Sequence, residues 1–69
     1  MKFDEAIELV NSGKAVKRES WDEAIIFKGV FNYNVDGKVT NILKRYERSY
    51  SPYFENDDDY NADDWKLVI

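Results

Sequence analysis

Apolar residues open the chain at Phe3, Ala6, Ile7 and Val10, the i, i+3, i+4, i+7 spacing of one face of an amphipathic helix. Asp4 is placed to cap the first turn, Glu5 and Glu8 suit the N-terminal dipole, and Asn11-Ser12-Gly13 ends the run, so a helix is predicted over 4–12. Three turns do not hold alone in water, so its apolar stripe must pack on a sheet. The period then changes to two. Residues 14–19 alternate as a short strand with Val16 on one face and Lys17 on the other; Ser20 to Glu23 reads as a turn; and a second strand runs from Ala24 through Tyr33. Gly29 inside that run marks a bulge or a close backbone approach.

Asp36-Gly37 supplies the two positive-φ residues of a two-residue hairpin turn. Pairing Val35 with Lys38 would set Tyr33 opposite Thr40 and Phe31 opposite Ile42 on one face, with Val30 opposite Leu43 and Asn32 opposite Asn41 on the other. Both faces then carry apolar side chains, which points to a ligand or another subunit on the second one. Beyond the hairpin a strand is expected near 45–50, and Pro52 biases Ser51 away from helix. Glu55 to Asp59 reads as a solvated acidic loop, Tyr60 to Asp64 as one helical turn, and Trp65 to Ile69 as a terminal strand whose Trp65, Leu67 and Ile69 face the core. The fold class is α+β: a short N-terminal helix on a twisted antiparallel sheet, one small domain over 1–69.

Composition narrows the function. A chain of 69 residues buries only about 60 to 65% of its unfolded surface, so its core is marginal and gains from a partner. There is no cysteine and no histidine, which removes disulfides, thiolate metal sites, the commonest general base and the usual pH switch. Eleven aromatics in so short a chain must fill the core, cover an interface or line a pocket for flat ligands. The acidic N-terminus is unlike a signal peptide and no apolar stretch is long enough for a bilayer, so the expected location is the cytosol, away from membranes. Residues 1–49 hold nine Lys/Arg against eight Asp/Glu, whereas 50–69 hold one against six. Such a chain is no duplex nucleic-acid binder, although a local cationic cluster remains able to hold a small anion.

The acidic loop lacks the sixth-position Gly and twelfth-position Glu of a calcium loop, and a solvated loop is the simpler reading. Asp63 and Asp64 are adjacent and diverge, with no nucleophile or metal motif nearby, so they read as a helix cap and its solvated neighbour. No phosphate-cradling glycine loop, catalytic triad or zinc spacing is present; no catalytic residue, metal or cofactor is expected, and the chain is read as not an enzyme. Lys17-Arg18 and Lys44-Arg45-x-x-Arg48 are candidates for phosphate contact, with Trp21, Tyr46 or Tyr50 stacking on a base; the plainer alternative is that these cations pair with Glu19, Glu47 and the acidic loop. Trp65 reads as core. Trp21, in a turn beside Asp22 and Glu23, is harder to bury.

Two blocks carry a family resemblance: Met1-x-Phe3-x-x-Ala6 with Ile7, Gly13-Lys14, Val16, Arg18 and Trp21, and then Asp59-x-x-Ala62-x-Asp64-Trp65 before an apolar strand. In this order, at both ends of the chain, they resemble a family of small phage proteins that includes the second class of Thoeris anti-defence sponges and some inhibitors of CRISPR nucleases. The chain departs from that pattern at Ser20, where the family usually has Gly, at Asp22-Glu23-Ala24, and in a shorter middle. The resemblance implies a homo-oligomer, a dimer or tetramer, with pockets at subunit interfaces, that binds a cyclic nucleotide or cyclic ADP-ribose-type signal without chemistry. It implies that Trp21 and Phe27 stack on the ligand, Arg18 contacts a phosphate or orders the Trp21 loop, and Asp64, with Asn61 beside it, accepts from a ribose or base donor. A second implication is an acidic inhibitor whose residues 57–59 imitate nucleic acid in the basic groove of a nuclease. A third is a phage structural or regulatory protein that shares only the fold.

Overall fold

The computed structural model describes residues 1–68. Helix α1 spans Phe3–Asn11, followed by strands β1 Ala15–Arg18, β2 Ala24–Val35, β3 Lys38–Tyr46 and β4 Ser49–Pro52, a short helix α2 Asp57–Asn61, and strand β5 Trp65–Val68. The strands form one antiparallel sheet in the order β4-β3-β2-β1-β5, and the fold is the expected α+β arrangement. No helix among the described residues is long and apolar enough to cross a membrane.

Helix α1 forms from the predicted apolar stripe, and Phe3, Ala6 and Val10 are buried. Its start lies earlier than the sequence implied. Lys2 holds the N-cap position, its backbone N–H donating to Glu5 Oε1 at 3.3 Å, so Asp4 stands within the first turn and does not cap it. The C-terminus closes as a Schellman motif: Gly13 N donates to the Val10 carbonyl at 2.9 Å and Lys14 N to that of Leu9 at 3.0 Å. This needs Gly13 at φ 97°.

The helix covers one face of the sheet. Phe3, Ala6 and Val10 meet Val16, Ile26, Tyr53 and Trp65 in a single core, and the rings of Phe3 and Trp65 meet edge-on at 5.7 Å between centroids. Trp65 is core, as expected. Leu67 corrects the expectation: it pairs with Val16 on the edge strand β5 and is exposed, with no further strand beside it. Ile69, placed in the core from sequence, lies outside the described residues.

The hairpin keeps its turn and loses its register. Asp36 and Gly37 both take positive φ, and Val35 pairs with Lys38 and Tyr33 with Thr40 as predicted. Lys28 then pairs with Ile42, so four residues of β2 stand opposite one of β3 in a wide bulge. The predicted pairs Phe31 with Ile42 and Val30 with Leu43 are therefore not formed; Ile42 meets Lys28 and Leu43 meets Phe27. Gly29 is the pivot. A Cβ there would stand 3.1 Å from the Tyr33 ring and 3.2 Å from a Leu43 methyl, so any side chain at this position would crowd both. Val30, 87% exposed, and Phe31, 68% exposed, are pushed out to solvent.

The strand expected near 45–50 is two strands. Glu47 takes φ 57°, and the chain reverses at Glu47 and Arg48 between β3 and β4. Pro52 sits on the edge strand β4, where its missing N–H is tolerated.

Candidate functional site

Arg18 ends β1 directly opposite Trp65, the first residue of β5, and the side chains around this pair form a polar cluster at one end of the core. Arg18 Nη1 donates to Asp59 Oδ1 at 2.9 Å, Nη2 to Asp64 Oδ2 at 3.4 Å, and Nε to Asp64 Oδ1. The Tyr53 hydroxyl donates to Asp59 Oδ2 at 2.8 Å, and Trp65 Nε1 donates to the Asp59 carbonyl at 3.0 Å. Asn56 caps α2, its Oδ1 accepting from Asp59 N at 2.8 Å. That cap starts the helix at Asp57, three residues ahead of the turn expected at Tyr60 to Asp64, and it rotates the third aspartate inward. Asp59 is 6% exposed, so the loop 55–59 is not a wholly solvated one; Asp57 and Asp58 remain outside. A buried carboxylate persists only when paired and hydrogen-bonded, which Arg18 and Tyr53 achieve together.

The guanidinium hydrogen-bonded to Asp64 holds that carboxyl below the usual carboxylate range, and the same contact raises Arg18 further above its ordinary value. Burial, followed by its hydrogen bond to Asp59, pushes the Tyr53 hydroxyl well above the ordinary tyrosine value.

The cluster fixes the turn that follows β1. Trp21 N donates to the Arg18 carbonyl at 3.1 Å, and the Trp21 ring meets Trp65 at 5.2 Å between centroids with the planes at 81°. Beyond α1, on the same side of the sheet, Trp21 forms one wall of an open cleft of about 540 Å³. Lys44, Tyr46, Ser49 and Ser51 form its floor because alternate residues of the paired strands β3 and β4 point the same way, with Ser20 at the rim. Lys44 Nζ sits 4.0 Å from the centroid of the Trp21 ring. An aromatic wall, one ammonium group, four hydroxyls and the carboxylate of Asp22 at the border suit a ligand that is flat at one end and hydroxylated at the other, with its anionic part toward Lys44.

The residues singled out from sequence divide among four places. Trp21 is in the cleft. Arg18 and Asp64 lie behind it, bonded to each other, and Arg18 is bonded to Asp59 as well, so three of the guanidinium's donors go to carboxylates. Phe27 is on the opposite face of the sheet, where its ring meets Tyr50 edge-on at 6.0 Å. Asn61 ends α2 with Nδ2 donating to the Asp57 carbonyl at 2.9 Å, beside a smaller cleft of about 270 Å³ lined by Phe3, Tyr60 and Ala62. The geometry adds Ser49 and Ser51. Their signal was the two-residue period of Ser49-Tyr50-Ser51, hidden while 45–50 was read as one strand.

No curated protein matches the chain. The sequence model of the Tad2-like family, described as the Thoeris anti-defense 2-like domain, matches residues 1–68, and the chain therefore belongs to that family of anti-defence domains.

Proposed function

We propose that this chain is a phage anti-defence protein that binds and sequesters a cyclic nucleotide or cyclic ADP-ribose-type signal, without catalysis, in the cleft beside Trp21. The observation that carries this reading is the Trp21 ring with Lys44 over it, in a cleft of about 540 Å³ floored by serine hydroxyls. The volume falls in the range of small-molecule sites, about 300 to 1,000 Å³. A base would stack on the indole, a phosphate would meet the ammonium group, and hydroxyls would read ribose or phosphate oxygens. Arg18 and Asp64 serve this site from behind by fixing the Trp21 turn.

The working form is a homo-oligomer, a dimer or tetramer. Both helices lie on one side of the sheet, and the other side carries Ile25, Phe27, Leu43 and Val68, half exposed with no helix over them. Arg45 shares that face, and its Nε is buried with no acceptor among the described residues. A second copy covering this face would bury the apolar side chains that a 69-residue chain needs for stability and offer Arg45 an acceptor.

Of the three aspartates 57–59, the acidic-decoy alternative keeps Asp57 and Asp58, since Asp59 is turned inward. Calorimetry against cyclic ADP-ribose isomers and cyclic dinucleotides tests the proposal. Binding that disappears in Trp21→Ala supports it; no heat from any of them at tens of micromolar sinks it.

A further inference from the structure

Lys44 lies between Ile26 on β2 and Ser51 on β4. Among the described residues it makes no ion pair: Arg18 takes Asp59 and Asp64, and Lys66 takes Glu19. Asp22 borders the same cleft without closing on it. The partner of the ammonium group is instead the π face of Trp21, at 4.0 Å from the centroid. Trp21, Lys44 and its cross-strand neighbour Ser51 all line the cleft, so the ammonium group stands over the indole within the cleft itself.

A base entering this cleft must stack where the ammonium group already sits. From this competition we infer that Lys44 is the specificity-determining residue of the cleft, a cap on Trp21 that a phosphorylated aromatic ligand removes and a neutral one does not. A phosphate oxygen offers the ammonium a full negative charge and a hydrogen-bond acceptor, whereas the ring offers only its quadrupole. A nucleotide brings the acceptor that receives Lys44 together with the base that takes its place. A nucleoside must displace the ammonium into water and is penalised for it. The cleft thus responds to base and phosphate jointly. This inference rests on the reading of the cleft as a nucleotide site.

The test is calorimetry on wild type and Lys44→Met with two probes: the cyclic nucleotide giving the largest heat in the panel above, and its parent nucleoside. Methionine keeps the length of the side chain over the indole and removes the charge; melting curves verify folding. The expected result is a crossing pattern, with the variant binding the nucleotide roughly tenfold more weakly and the nucleoside about threefold more tightly. A variant that loses nucleotide affinity with nucleoside affinity unchanged overturns the cap and leaves Lys44 an ordinary phosphate contact, with the nucleotide reading intact. A wild type that binds no nucleotide overturns both. A second arm uses inorganic pyrophosphate alone, which should change tryptophan fluorescence in wild type by drawing Lys44 off the ring. No change, or an equal change in Lys44→Met, counts against the cap.

Discussion

The Tyr53 hydroxyl donates to Asp59 Oδ2 at 2.8 Å with both residues buried, and this contact ties the segment after β4 to helix α2. Asp59 also holds Arg18 through its other oxygen and Trp65 through its carbonyl. Removing the carboxylate and removing the hydroxyl should therefore differ in size. Asp59→Ala leaves the half-buried Arg18 with one carboxylate partner and strips Tyr53 of its acceptor, an expected loss of about 3 to 5 kcal/mol. Tyr53→Phe deletes one neutral donor at an expected loss of about 1 to 2 kcal/mol. Urea denaturation of the two variants measures both, and equal losses would contradict the central place given to Asp59.

The same cluster should make stability depend on pH at both ends of the range. The Asp64 carboxyl is held below its ordinary value by Arg18, so its stabilising contribution is complete above the unfolded carboxylate range, about 3.9, and is lost as pH falls through the lower folded value. Tyr53 is raised, so its contribution is complete below the unfolded tyrosine value, about 10, and is lost as pH rises further. Melting temperature should fall at both ends. Asp64→Asn should flatten the acid limb alone, and Tyr53→Phe the alkaline limb alone, from a lower plateau. Identical limbs in wild type and both variants would remove these groups from the account.

Local signals carried much of the fold in the sequence. The Phe3 to Val10 stripe, the Gly13 stop and the Asp36-Gly37 turn each act within a few residues, and each appears where the pattern places it. What stayed hidden depends on pairing at a distance. The bulge after Lys28 shows in sequence only as Gly29, and one glycine does not say how many residues it displaces. Glu47 takes a positive φ that no residue type there announces. Asp59 looked solvated among three aspartates because its partners, Arg18 and Tyr53, are 41 and 6 positions away. Within the candidate site, Trp21 was legible as a ring in a turn that resists burial. Phe27 was expected to stack beside Trp21, yet it pairs with Leu43 and meets Tyr50 on the other face, because strand alternation sets its side apart from that of Lys44.

Trp21 and Phe27 stand on opposite faces of the sheet, so their truncations should separate binding from assembly. Trp21→Ala removes a stacking surface worth about 1 to 3 kcal/mol, which is a tenfold to hundredfold weaker nucleotide, with the assembled mass unchanged. Phe27→Ala should lower the mass seen by light scattering, because it thins the apolar face assigned to a second copy. If Trp21→Ala alone dissociates the assembly, or Phe27→Ala leaves its mass untouched at low micromolar concentration, the two faces have been assigned the wrong roles.

Charge reversal on α2 separates a sponge from an acidic decoy, provided that it avoids Asp59. Asp57 and Asp58 are exposed in the first turn of the helix, and no side chain among the described residues pairs with their carboxylates. Asp57→Lys with Asp58→Lys opposes the dipole at the start of a short helix, an expected loss of about 1 to 2 kcal/mol, and leaves the cleft on the far side of Trp65 intact. A sponge with these two changes should keep its nucleotide affinity within about twofold. A decoy should lose its inhibition outright, since attraction to a basic groove depends on the sign of that surface. Including Asp59→Lys would confound the comparison, because a lysine beside Arg18 and Tyr53 unfolds the chain under either reading. The double variant, assayed for nucleotide binding and for inhibition in the same preparation, decides between them: binding retained while inhibition vanishes would reject sequestration as the mechanism.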